Sequence, residues 1–393
     1  MPASPSTARA INDRLALQLL QSQGPLTATQ LKAMTGLSRP TVADLLDRLQ
    51  ERGLIQVVGE SGAQRRGPNA RVYGIVADRA HLAALDVRTQ GVTLVVADLL
   101  GTTLAEASLP ISRDTGTEPA VEQAAALLER TVYEAGATRL HTVAVGVPGL
   151  VDPATGELRA ASGLPAWHGR LAAELQRRLP ARVVLENETN LAALAESRTG
   201  AAEGRETFAF LWLGYGVGAA LFLDGRLRRG ASGGAGEISF LPVPDTGGLP
   251  SASRCDGGFH SLAGSTAIQG LAEEFGVSVK DTSPHHTAGS ALVAHALTTG
   301  AEGFLDALAQ RLALGAAAVV SVLDPGCVIL GGEVGLAGGP ELARRVERVL
   351  ADLNPLPTQV RAGCLGGTAV LRGALLTAQD RAQDDLFGPA DAD

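Results

Sequence analysis

The chain has 393 residues, 45% of them apolar and 19% charged, with a net charge of −8. That composition supplies cores for two or three packed domains and excludes a disordered chain. The three cysteines, Cys255, Cys327 and Cys364, lie far apart, which excludes a disulfide framework and a four-thiolate metal centre. No apolar stretch near Met1 suits a secretory signal, and no run of about 18 uncharged apolar residues appears, so a cytoplasmic protein without membrane contact is expected.

The charge is unevenly spread. Residues 1–75 hold nine Arg or Lys and five Asp or Glu, a net +4, which leaves −12 for the rest. A basic N-terminal module on an acidic body is the asymmetry of a DNA-binding domain fused to another function. Within it, Ile11, Leu15 and Leu19 recur every four residues and predict a helix over about 12–22, ended by Gly24-Pro25. A second helix starts at Thr27, with Gln30 completing a capping box, and is expected to bury Leu31 and Met34. Gly36 turns the chain. Ser38 then caps a third helix with Pro40 in its first turn and Val42, Leu45, Leu46 and Leu49 as its inner stripe, until Gly53 closes it. Two short helices across a tight glycine turn form a helix-turn-helix.

Leu54 to Val58 and Ala70 to Ile75 flank a turn-rich stretch and predict a hairpin, which makes the motif winged. In such a domain the third helix enters the major groove with its first residues nearest the bases. Ser38, Arg39 and Thr41, with Arg48 further along, are the candidate base contacts. Arg65, Arg66 and Arg71 on the wing are the candidate phosphate or minor-groove contacts. The competing reading is a small helical protein-interaction domain with solvated arginines.

From His81 the pattern becomes βαβ. His81–Val87 and Val92–Asp98 predict a strand pair, about 119–134 a helix, and Thr142–Val147 a buried strand. Arg182–Leu185 predicts another strand, and Asn190–Ala195 the helix that follows it. Phe208–Leu213 and Ala219–Leu223, joined by the glycine-rich Gly214–Gly218, repeat the hairpin of the first half. Two halves of similar plan predict an internally duplicated fold around a cleft. His285-His286 is expected in a solvated loop, and the acidic residues 381–393 as a disordered tail.

Five segments in order and spacing resemble the ROK family of repressors, open reading frames and sugar kinases. They are Gly146–Asp152, Glu186-Asn187-Glu188-Thr189-Asn190, Gly214–Gly218, Gly230–Ile238 and Asp324–Gly332. Thr35–Val42 is similar to the repressor branch of the xylose or N-acetylglucosamine type. The resemblance spans nearly the whole chain and implies an α/β protein: a winged helix-turn-helix followed by a two-lobed, actin-like ATPase (duplicated ribonuclease H-like) body. It also implies a sugar in the cleft and a homodimer or homotetramer. The expected domains are a DNA-binding domain over 1–76, an effector and oligomerisation body over 77–380, and the tail.

The resemblance implies a kinase chemistry that these residues lack. Active members carry glycines after the aspartate of the first hairpin, where amides meet phosphate; here Arg88 and Thr89 follow Asp86-Val87. The general base is an aspartate, and here it is Glu188, whose added methylene displaces the carboxylate by roughly 1 Å. The zinc-binding histidine beyond Gly236-Glu237-Ile238 is replaced by Phe240, and the cysteine cluster is reduced to Cys255. No catalytic residue, metal or cofactor is therefore expected. Asn187, Glu188, Glu237 and Trp167 remain as candidate contacts for a sugar or sugar-phosphate effector, with helix capping and lobe joining as the alternative role. The reading is a DNA-binding regulator, a repressor of carbohydrate genes acting on a double-stranded operator. Its rivals are a sugar kinase with an added helical module and a ligand-independent DNA-binding scaffold.

Overall fold

The computed structural model describes residues 5–61, 70–88, 91–112, 114–159, 165–252, 254–279 and 287–388. Arg65, Arg66, Thr89, His285 and His286 lie outside them.

Helix α1 (Pro5–Gln23) leads through β1 (Leu26–Thr27) into α2 (Ala28–Thr35), α3 (Arg39–Glu51) and the wing strands β2 (Ile55–Ser61) and β3 (Ala70–Ile75). β3 pairs antiparallel with both β1 and β2, so the wing is a three-stranded sheet. The expected capping box is present: Gln30 N–H donates to Thr27 Oγ1 at 3.3 Å, and Thr27 N–H donates to Gln30 Oε1 at 2.9 Å. Gly36 ends α2 at φ 71°, a left-handed conformation open to glycine.

Two expectations fail here. Ile11 is 58% exposed, while Asp13, Ala16, Leu17 and Leu20 form the inner stripe of α1. At about 100° per residue Ile11, Leu15 and Leu19 do share one side of α1, but it is the side turned away from the buried stripe, and only Leu19 at its edge packs on the core. Met34, at the end of α2, is likewise exposed.

The body repeats one plan twice. β4 (His81–Arg88), β5 (Gly91–Asp98), β6 (Thr103–Pro110), α4 (Thr117–Glu134), β7 (Leu140–Val147), α5 (Trp167–Arg178) and β8 (Arg182–Asn187) make the first lobe with a sheet ordered β6-β5-β4-β7-β8. After α6 (Glu188–Thr199), the second lobe runs β9 (Phe208–Leu213), β10 (Val217–Leu223) and β11 (Arg226–Arg228). Helices α7 (His260–Ala263), α8 (Ser265–Glu274), α9 (Ala288–Thr299) and α10 (Glu302–Leu323) follow, then β12 (Cys327–Gly331), α11 (Gly332–Leu353) and β13 (Gln359–Ala362). Its sheet is ordered β11-β10-β9-β12-β13. Both sheets hold three antiparallel strands followed by two parallel ones, so the duplicated, two-lobed actin-like plan is present. The edge strands β6 and β11 were not anticipated, because β6 alternates short and polar residues on an exposed edge and lacks the apolar run that marked its neighbours. Helix α10 is long and apolar enough to span a membrane, but Phe304, Leu308, Leu312 and Val320 are buried in the core of the second lobe.

Helix α12 (Ala369–Phe387) returns to the first lobe and packs on α6, β4 and β7. It corrects the expectation of a disordered tail for residues 381–388; residues 389–393 lie outside the described ones. Phe387 is buried, Asp384 pairs with Arg14 of α1, and Arg52 donates to the Leu386 and Gly388 carbonyls at 2.9 and 3.2 Å. Acidic composition suggested disorder, but these acids meet arginines of α1, α6 and β8 while Ala378, Ala382 and Phe387 face the core. One apolar core runs from the winged domain along α12 to the space between the lobes.

Candidate functional site: a winged helix and a closed inter-lobe cleft

Ser38 caps α3 by accepting the Thr41 N–H at 3.3 Å, and the Ser38 and Thr41 hydroxyls lie 2.7 Å apart. Burial of Val42, Leu45, Leu46 and Leu49 turns the opposite face, with Ser38 and Arg39, into solvent. Arg71 is exposed on β3. Arg48 is different. Its Nη2 bonds Oδ1 of the buried Asp13 at 2.6 Å and its Nη1 bonds Asp44, so both carboxylates and the Asp13 hydrogen bond hold its charge. Arg48 ties α3 to α1, and the expectation that it reaches DNA is corrected on that ground.

The cleft is built where β8 runs into α6. Asn187 caps α6, its Oδ1 accepting the Thr189 and Asn190 amides at 2.9 and 3.2 Å while its Nδ2 donates to the Gly149 carbonyl at 2.9 Å. Its side chain is thus committed to holding the loop after β7. Glu186 accepts from Asn190 Nδ2 at 2.9 Å and pairs with Arg229 of the second lobe at 2.6 Å. Trp167 is 3% exposed and sits in the first-lobe core with Leu171 and Leu175, edge-on to His168. The expectation of an effector contact at Trp167 is corrected, because its ring has no open face on the cleft. Glu237 is exposed, within electrostatic reach of Glu188.

Arg88, at the tip of β4, spans the cleft. Its Nε donates to Asp86 Oδ2 at 2.9 Å, its Nη1 to Glu333 Oε1 at 2.9 Å, and its Nη2 to the Gly367 carbonyl at 3.0 Å. Glu333 opens α11 in the second lobe, so Arg88 joins the lobes. Arg229 and Glu186 join them again in the opposite sense. Burial raises Asp86 above the usual carboxylate range, opposed by Arg88. Glu188 is pushed up to about 7, first by desolvation and then by Asp86, with Glu333 and Glu237 adding to the effect and Arg88 opposing it. Buried His168 is held down at about 4. Sequence reasoning missed Glu333 and Arg229 as site residues. The signal for Glu333 was a charged residue directly after the Gly331-Gly332 pair that starts a helix.

The zinc that the resemblance implies does not fit these residues. Phe240 offers no ligand, and among the described residues no three His, Cys, Asp or Glu gather as a metal cage.

Comparisons with known proteins agree with this geometry. The chain matches the ROK family over residues 82–381 and the MarR family over residues 11–67. It is similar to a xylose repressor of Caldicellulosiruptor bescii, 25% identical over 239 residues, 60% of this chain and 59% of that one. It is also similar to a glucokinase of Thermotoga maritima, 26% identical, covering 67% of this chain and 89% of the glucokinase. Among solved structures, a ROK family transcriptional regulator, a homologue of the E. coli MLC protein, superposes with a TM-score of 0.76 at 19% identity, covering 97% of this chain and 98% of that one. With a family match over three quarters of its length behind a MarR-like winged domain, this chain belongs to the ROK family.

Proposed function

We infer that the protein is a DNA-binding repressor of carbohydrate genes whose kinase-like body senses a sugar and transfers no phosphate. The observation that carries this is Arg88. It fills the approach where the family's glycines meet phosphate and bonds carboxylates of both lobes, on a chain whose winged domain carries a capped recognition helix. Ser38, Arg39 and Thr41 are assigned to base edges, and Arg71, with Arg65 and Arg66, to the phosphates beside the wing. A single recognition helix reads too few base pairs for specificity, so a homodimer or homotetramer acts on a palindromic operator in the cytoplasm.

One observation favours the kinase reading: a carboxyl held at about 7 is well matched to a general base. Against it, a sugar hydroxyl deprotonated by this base has no positioned phosphoryl group to attack once Arg88 occupies the phosphate cradle. The signal route runs from Glu188 at the start of α6, along that helix to Arg198 and Asp380, and through α12 to Asp384 and Arg14 of α1. The test is retardation of fragments from the gene's own upstream region, with and without sugars. Specific binding relieved by one sugar is expected; ATP-dependent turnover of any sugar sends the protein to the kinases.

A further inference from the structure

We propose that Asp44 is a base-reading residue of the recognition helix, its carboxylate accepting a hydrogen bond from the N4 amine of one cytosine in each half-site. The proposal rests on the DNA-binding reading above and adds a residue and a base to it.

Val42, Leu45, Leu46 and Leu49 turn one side of α3 to the core. At about 100° per residue the opposite side is Pro40, Asp44, Asp47 and Glu51, all exposed, with Arg39 and Ala43 along its edge. The side of α3 that a groove would meet is therefore acidic beyond its first turn, although residues 1–75 are basic as a whole. Asp44 follows Pro40 by one turn and is the first carboxylate on that side, with 64% of its side chain open to solvent. Its Oδ2 is bonded by Nη1 of Arg48, which is anchored in turn to the buried Asp13 at 2.6 Å. Among the described residues no donor meets its Oδ1. Asp47, almost one turn further on, has no ion pair among them.

A carboxylate in the major groove stands between two rows of phosphates and weakens binding to every sequence. Only a donor on a base offsets that cost. Guanine presents N7 and O6 and thymine presents O4, all acceptors that repel a carboxylate. Adenine presents its N6 donor beside the acceptor N7, whereas cytosine presents its N4 amine alone. Cytosine is thus the base an aspartate favours, and guanine, through O6 and N7, is the base Arg39 favours. The five residues from Arg39 to Asp44 rise about 7.5 Å along the helix, on the order of two base-pair steps, so one half-site can meet both. Arg48 screens the carboxylate without reaching DNA, since Asp13 holds it against α1. Asp44 therefore works by difference: it adds little affinity and penalises the wrong bases.

The test selects duplexes from a pool with randomised half-sites, using the unmodified full chain, Asp44→Ala, Asp44→Asn and Asp47→Asn, and then measures affinities for single-pair variants of the enriched operator. The unmodified protein should prefer C·G at one position of each half-site, with a loss of about 10-fold or more when that pair is changed. Asp44→Ala should accept all four pairs there and bind a scrambled duplex more tightly. Asp44→Asn, which keeps the size and shape of the side chain and so covers any loosening of α3 in Asp44→Ala, should move the preference to A·T, because asparagine pairs with adenine N6 and N7. Asp47→Asn should tighten binding to every sequence alike and leave the preference unchanged. An Asp44→Ala protein that keeps the preference for C·G overturns the assignment while leaving the DNA-binding reading intact, as does a change of preference that follows Asp47 instead of Asp44. Enrichment of no sequence by the unmodified protein overturns the DNA-binding reading and this assignment together.

Discussion

Gly373 of α12 lies so close to Leu191 of α6 that a Cβ at position 373 would stand 1.9 Å from the Leu191 carbonyl oxygen. Backbone meets backbone at that crossing, and neither side can yield by rotating a side chain. α6 begins at the cleft and α12 ends on the winged domain, so this contact ties the packing of one to the position of the other. Gly373→Ala should separate the helices and lower stability by about 1–3 kcal/mol, as overpacking of a filled core does. It should also weaken the effect of a sugar on operator binding. Unchanged denaturant midpoint and unchanged induction would remove the crossing from the route.

Arg39 and Arg48 lie on one helix and should behave in opposite ways. Arg39→Ala should leave folding intact and cost about 1–3 kcal/mol of discrimination at one base pair per half-site. Arg48→Ala should instead lower stability, because Asp13 is buried and loses its partner; a cost of about 1–3 kcal/mol is expected. Operator-variant binding and thermal melts on both proteins check this, and base-specific loss in Arg48→Ala would restore it to the DNA face.

Glu188 predicts a pH dependence. Its carboxyl in the folded chain is raised from 4.5 to about 7, so the folded state holds the proton more tightly than the unfolded one. Stability from this group is present below the ordinary carboxylate value and is lost as pH rises toward 7. Glu188→Gln should flatten the slope of stability between about pH 5 and 7 and make the protein more stable at pH 8 than the unmodified chain. Chemical denaturation across that range decides it, and an identical slope in both proteins contradicts the burial of the charge.

Phosphoryl transfer should be absent. Glucose, N-acetylglucosamine and xylose with ATP and Mg²⁺ should give turnover at background, and Glu188→Asp alone should not rescue it while Arg88 fills the cleft. Turnover that disappears in Glu188→Gln would reverse this conclusion.

Much of this was legible in the residues, for reasons that differ along the chain. The cap at Ser38, the box at Thr27 and Gln30, and the left-handed turn at Gly36 are local, so the helix-turn-helix could be read from neighbours. The strands β4, β7 and β9 announced themselves as continuous apolar runs. What was not legible is long-range. The Arg88 to Glu333 bridge joins residues 245 positions apart, and nothing local marks Glu333 as its partner. Arg48 has the same chemistry as Arg39 and differs only in facing Asp13, which the phase of α1 decides. Trp167 read as a cleft aromatic, whereas it lies on the face of α5 that packs with Leu171 and Leu175 on the first-lobe core, and no short pattern encodes that choice.

Titration of the intact protein against its own upstream region shows whether this chain reads DNA and whether its cleft controls the reading. Affinity for an operator should exceed that for a scrambled duplex by about 1,000-fold or more and fall steeply with salt. It should drop when the sugar that raises the melting temperature is added. Equal affinity for operator and scrambled DNA at moderate salt, with or without sugar, would mean that the winged domain reads no sequence and that the cleft controls nothing.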